Sequence, residues 1–212
     1  MTVLLAGFLL QSCAVSSKVS AGSSYQNETF SPSELDRTGF AILPVTAGDG
    51  QEGYRRPFGD KLNRTASNLF KNVIPWDSTM QILNQAESVQ DYQKLIKMYN
   101  ETAILDQSIT KKLSETLGVE YLLYVRLGQP EQTRSSGYNY LSGGVSTTET
   151  QSVSAFAKIW QSNGDVAWEG SATARAVSGD YTYIAENYQQ QAEKVADALI
   201  RAVAGMPIPT TK

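Results

Sequence analysis

The sequence contains no histidine and a single cysteine, Cys13, among its 212 residues. The first absence removes the commonest general base, the commonest zinc ligand and every catalytic triad that runs through imidazole. The second removes intrachain disulfides and thiolate metal clusters. Basic clusters are also missing. The 18 Lys and Arg and 21 Asp and Glu give a net charge of −3 with no basic stripe, so nucleic-acid binding has no electrostatic footprint. Beyond residue 13, no apolar run reaches the ~20 residues of a membrane-spanning helix. Carboxylates remain as candidate acids and bases: Asp49, Asp60, Asp165 and Glu169. Asp49 and Asp165 fall in turn sequences, where Asp is common for backbone reasons. The inventory is that of a protein without enzymatic chemistry, cofactor or metal.

What is present starts with the apolar run Val3 to Leu10, closed by Gln11-Ser12-Cys13. A short apolar run followed by small residues reads as a secretory signal, and it is too short to span a bilayer. Leu10-Gln11-Ser12-Cys13 resembles the bacterial lipobox, in which the cysteine is lipidated and becomes the new N-terminus. Residues 1–12 are then the signal peptide and Cys13 the lipidation site. Position 14 is Ala rather than Asp, which implies the outer membrane. Signal peptides open with Lys or Arg and Met1-Thr2 has neither, so the natural start is expected upstream. Residues 13–33 are rich in Ser and Gly and read as the lipidated cysteine and a flexible tether. About 20 such residues have an r.m.s. span of roughly 25 Å, which keeps the domain near the membrane surface.

The periodicities describe one domain. Gly39 to Val45 is a nearly continuous apolar run that suits a strand buried on both faces. A helix is expected from about Pro57, placed in its first turn, to Asn72, with Phe58, Leu62, Ala66 and Leu69 on one stripe. Val73-Ile74 reads as a short strand and Asp77 as the cap of a short helix. Further helices follow Ser88 and Asp106, the second stopped by Gly118. Residues 119–127 alternate as a strand, and residues 153–160 form another. Asn163-Gly164 is the strongest hairpin signal in the chain and leads into a return strand over 166–176. A last amphipathic helix runs from about Tyr183 to Ala204, with Ile184, Tyr188, Ala192, Val195 and Leu199 inward. The expected class is α/β: a single layered domain with a mixed β-sheet, helices packed on it and a C-terminal amphipathic helix.

One segment is unusual. Residues 128–150 separate two good strands and are almost wholly polar. Connections of that length are functional or disordered more often than not. Tyr138, Tyr140 and Leu141 are apolar side chains with no stripe to join, and they are the candidate partner contact. The alternative is a β-hairpin extension. A lipid-spanning hairpin is disfavoured, because Ser-, Thr- and Gln-rich arms supply no lipid-facing side.

The block 117–124, the polar excursion, the strand 153–160 and Gly164-Asp165-Val166-Ala167-Trp168-Glu169-Gly170 together resemble the C-terminal half of the LpoB lipoproteins. These outer-membrane lipoproteins activate a bifunctional penicillin-binding protein. With Ile42-Leu43-Pro44 on the first strand, the same plan is similar to the CsgG curli secretion channels and the amino-terminal domain of the TolB family. The resemblance covers most of residues 38–204 and implies a LpoB/CsgG-like α/β domain over 38–207. It implies a non-enzymatic accessory or scaffold on the periplasmic face of the outer membrane. Its partners would be that membrane, through Cys13, and another envelope protein or a second copy of itself. The alternative is a ring-forming secretion-channel subunit. The short, proline-poor tether differs from the long tether of LpoB, and the single polar insertion differs from the two apolar hairpins of CsgG.

Overall fold

A computed structural model describes residues 16–48, 51–139, 143–178 and 187–209. Its centre is a mixed sheet with eight strands among the described residues. The parallel part comprises β2 (Phe40–Ile42), β4 (Val73–Ile74) and β5 (Tyr121–Leu127), with β3 (Thr46–Ala47) beside the end of β5. The antiparallel part comprises β1 (Ser16–Gln26), β6 (Glu131–Asn139), β7 (Gly144–Gln161) and β8 (Val166–Ser178). The strand order is β1-β8-β7-β5-β2-β4, and β6 lies on β7.

Helices cover both faces of the parallel part. On one side lie α1 (Pro32–Thr38), α2 (Glu52–Leu69) and α6 (Tyr188–Val203). On the other lie α3 (Trp76–Gln85), α4 (Val89–Thr102) and α5 (Gln107–Leu117). Alternate residues of β2 and β5 therefore enter two cores. Phe40, Ile42, Leu123 and Val125 meet Phe58, Leu62 and Leu199 in the first. Ala41, Leu43, Leu122 and Tyr124 meet Leu95, Leu113 and Trp160 in the second. Within the second core Trp160 stacks on Tyr124 at 5.0 Å between centroids, and Tyr99 meets both rings edge-on.

The α/β class, the buried first strand and the C-terminal helix agree with the expectation. The caps at Asp106 and Gly118 are in place: the Asp106 carboxylate accepts from the amides of Ser108 and Ile109 at 3.0 and 3.2 Å, and Gly118 sits at φ 66°. Asn187 and Gln190 form a reciprocal capping box at the start of α6. Ile184 lies outside the described residues.

Several expectations need correction, among them two caps: Pro75 and not Asp77 stands at the N-cap of α3, and the Ser88 side chain makes no cap bond at the start of α4. The domain does not begin near residue 38. Within the expected tether, Ser16–Gln26 is an edge strand hydrogen-bonded to β8 and Phe30 is a core residue, and Leu35 just after it is another. Strand pairing uses the backbone, so a Ser- and Gly-rich composition does not forbid it. Val19 and Ala21 supply the half-buried inner side. Pro57 does not open its helix but sits inside it, because α2 starts at Glu52. That placement forgoes one intrahelical bond, and the burial of Phe58, Leu62 and Ala66 directly after it holds the helix. β5 has no solvent-facing side at Leu122 and Tyr124, since helices cover both its faces. The polar segment 128–150 follows the alternative reading: over its described length it is a β-hairpin extension and not an irregular loop. Gly128 donates its amide to Ser154, and after Pro130 the chain resumes pairing with β7 as β6.

Two contacts in this frame can be tested. The Trp168 indole lies over Gly170, where a Cβ would stand 2.3 Å from the ring and 2.5 Å from the Gly22 carbonyl oxygen of β1. Gly170→Ala is expected to cost about 1–3 kcal/mol in urea unfolding. Hydrogen exchange should place the loosened amides in β1 first. Between α2 and α6, Asp197 accepts from Thr65 at 3.0 Å and from Arg201 at 2.7 Å, with Lys61 at 3.4 Å. Burial alone would raise the Asp197 pKa, but the bonds from Arg201 and Thr65 and the Lys61 charge outweigh it and hold it below the usual value. A folded-state pKa below the unfolded one stabilises above the unfolded pKa and is lost as pH falls through the folded one. Asp197→Asn should thus lower stability by about 1 kcal/mol at pH 7, with the gap to wild type closing in acid below about pH 4.

Candidate functional site

The β6–β7 hairpin is the part of the fold that the two cores do not account for. Its base is continuous with the sheet. Thr133 pairs with Thr150, which pairs in turn with Val177 of β8. The last β7–β8 pair is Glu149 with Ser178, and beyond it residues 144–148 of β7 pair with β6 alone among the described residues. The hairpin therefore leaves the body as a two-stranded ribbon. Isolated ribbons of this kind are marginal in water, so the base needs support. Gln132 supplies it: its amide donates to Glu149, and its carbonyl accepts from the Tyr188 hydroxyl of α6 at 3.3 Å. Tyr188 in turn packs edge-on against Tyr54 of α2 at 6.2 Å.

Near the end of the ribbon Tyr138 is 57% exposed and lies directly across from Val145, which is 64% exposed. Of the three sequence-chosen contact residues, Tyr138 is therefore at the exposed end of a ribbon. Tyr140, Leu141 and Cys13 lie outside the described residues. Val145 was missed by sequence reasoning. Its signal was the Gly143-Gly144 pair, which marks a turn and so sets an isolated apolar residue opposite Tyr138.

The outer edge of β6 is unpaired among the described residues, as is that of β1 at the far side of the sheet. Each presents a row of backbone donors and acceptors. β6 carries only Glu131 and Arg134 as charges and β1 only Lys18, so neither edge is strongly guarded against another strand.

A second feature is a cleft of about 770 Å3 just past the carboxyl end of β2. Arg55 and Asp60 of α2, Trp76 and Asp77 of α3, and Tyr92 and Asn100 of α4 line it. Asn63 ties α2 to the start of α3, accepting from the Trp76 amide at 3.0 Å and donating to Asp77 at 3.2 Å. The Tyr92 hydroxyl donates to the Pro44 carbonyl at 3.2 Å, and burial pushes its pKa up, so it remains a neutral donor. The candidate carboxylates do not share one element. Asp60 lines this cleft, while Asp165 accepts from Asn163 in the β7–β8 turn. Glu169 is paired at 2.5 Å with Lys158 on β7, and Asp49 lies outside the described residues. Among the described residues no three His, Cys, Asp or Glu side chains stand in a group that could hold a metal ion.

No protein-family model and no curated protein matches the chain. Among solved structures, the chain is similar to a PelC dodecamer from Paraburkholderia phytofirmans, at 10% identity and a TM-score of 0.44, over 92% of this chain and 99% of that one. It is also similar to a dodecamer of a PelC point variant from the same organism, at 11% identity and a TM-score of 0.43, over 90% and 98%.

Proposed function

We propose that this chain is a non-enzymatic accessory or scaffold lipoprotein of the cell envelope, of the LpoB, CsgG and TolB amino-terminal-domain kind. Cys13 carries the lipid that holds it on the periplasmic face of the outer membrane. It engages another envelope protein, or another copy of itself, through the β6–β7 hairpin. The observation that carries this reading is the open edge of β6. A nine-residue strand runs from the sheet out along the hairpin, with one side bonded to β7 and the other unpaired among the described residues. An added strand from a partner would satisfy that row of amides and carbonyls, which is β-augmentation. The lipobox resemblance of Leu10-Gln11-Ser12-Cys13 supports the anchor.

A ring-forming subunit is the second reading, and one observation favours it. Among the described residues the sheet has two long open edges, β1 and β6, on different sides. Pairing unlike edges of neighbouring copies is a heterologous contact, which closes into a ring or grows as a filament.

Photocrosslinking in intact cells tests the proposal. A benzoylphenylalanine at Thr133 or Ser135 is expected to give adducts heavier than the monomer, whereas one at the exposed Arg175 of β8 gives none. Replacing residues 132–148 by a short Gly linker should abolish those partners in pull-downs. Cys13→Ser should move the protein from the membrane to the soluble fraction. An unchanged partner set after the replacement would sink the hairpin as the contact site, and undiminished membrane association of Cys13→Ser would sink the anchor.

A further inference from the structure

The register of the sheet places both ends of the proposed membrane attachment on one side of the molecule. Ser16 opens β1 opposite Val177, Val177 faces Thr150, and Thr150 faces Thr133. The start of β1 and the base of the hairpin are thus one row across the sheet. From that row the hairpin continues outward for five residues to Tyr138, about 17 Å at the rise of a strand. On the β1 side, Cys13 precedes Ser16 by three residues of sequence, about 10 Å when fully extended. A bilayer holding Cys13 therefore lies at the end of the sheet from which the hairpin projects, and within the hairpin's reach.

The composition of the hairpin fits that position. Residues 135–148 contain no charged side chain, in a chain that is 18% charged. Charges resume at once on both arms, with Arg134 and Glu149. A tip without charge can sink past the headgroups to the edge of the acyl chains without the desolvation cost of an ion. Tyrosine is enriched at that depth because its ring is apolar and its hydroxyl remains wet. The backbone sets the opposite limit. A ribbon with open edges cannot cross hydrocarbon, where every unpaired amide is costly, so the arms stop at the interface and stay polar.

We propose that the hairpin tip, at Tyr138 and Val145, docks into the headgroup region of a phospholipid bilayer, beside the point where the chain enters β1. Together with the lipid on Cys13 it gives the domain two attachments on one end of its sheet and fixes its orientation. The inference rests on the N-terminal anchoring proposed above.

The test uses the full chain with Tyr138→Trp on vesicles of phosphatidylethanolamine and phosphatidylglycerol, some brominated on the acyl chains close to the headgroup. The three native tryptophans, measured in the wild-type chain, give the baseline. The chain is brought to the vesicles in two ways: by the acyl chain on Cys13, or by an N-terminal polyhistidine extension on a nickel-chelating lipid. The expected result is a blue shift of the added emission and its loss to shallow bromines by either route. Val145→Asp in the same chain should reverse both while co-sedimentation with vesicles persists. Quenching of the nickel-tethered chain, when the wild-type chain bearing Cys13 does not sediment, would remove the anchor reading and leave the tip inference standing. Sedimenting chains without shift or quenching by either tether would overturn the inference. So would a shift that appears only when a second protein is added, which would make the tip a protein contact.

Discussion

The 18-residue strand β7 is the member on which the rest of the molecule depends. Its second half is bonded to β5 on one side and β8 on the other, and its first half is bonded to β6. One uninterrupted backbone thus passes from the interior to the exposed end of the hairpin. Val153, Ala155, Ala157 and Ile159 hold the inner half by burial. The outer half, rich in Ser and Thr, is held by ladder hydrogen bonds and by the rigidity of the strand behind it. The bond from Tyr188 to Gln132 then fixes the base of the ribbon to α6. A projecting hairpin with polar arms is ordered because it extends a strand whose register is already set.

The same strand explains why the two parts of the sheet differ. The parallel part is covered by helices on both faces, so β2 and β5 are apolar on both sides. The antiparallel part is covered by α6 on one face. Its other face carries Ser154, Lys158, Ser171 and Arg175, and the Lys158–Glu169 pair lies there. Burial works against the charged form of Lys158, but its bonds to Glu169 and Tyr99 outweigh it and raise its pKa. Small alanines at 172, 174 and 176 let α6 lie close to β8. Position 170 is a glycine because Trp168 and the backbone of β1 already occupy its Cβ space.

Elements that bury apolar side chains at a fixed period were legible in the sequence. β2, the stripe of α2, the capped start of α5 and the Asn163-Gly164 hairpin all announced themselves through side chains. What escaped was structure carried by the backbone. β1 reads as a linker because Ser16, Ser17, Ser20 and Gly22 give no hydrophobic signal, although Val19 and Ala21 already alternate inward. β6 was legible only as an alternative to a loop, because Pro130 and Gly137 punctuate the segment and its side chains are polar. Its pairing is dictated by the neighbouring strand, which no local pattern within 131–139 reveals. The candidate contact followed the same division. Tyr138 was visible as an apolar residue without a stripe, whereas Val145 gained meaning only once the ribbon set it opposite Tyr138.

The proposed orientation at the membrane depends on β1 being fixed to β8, since that pairing sets Ser16 at the hairpin end of the sheet. Double electron–electron resonance between spin labels at Ser17 and Ser135, in a Cys13→Ser background, measures this directly. Ser17 lies in the row of Ala176, Gln151 and Gln132, three strands from β6 and three residues from Ser135. With β1 in that pairing, one narrow distribution centred at about 20 Å is expected, set by strand spacing and rise. A broad distribution extending past about 40 Å, as a free Ser- and Gly-rich tether would give, would contradict it.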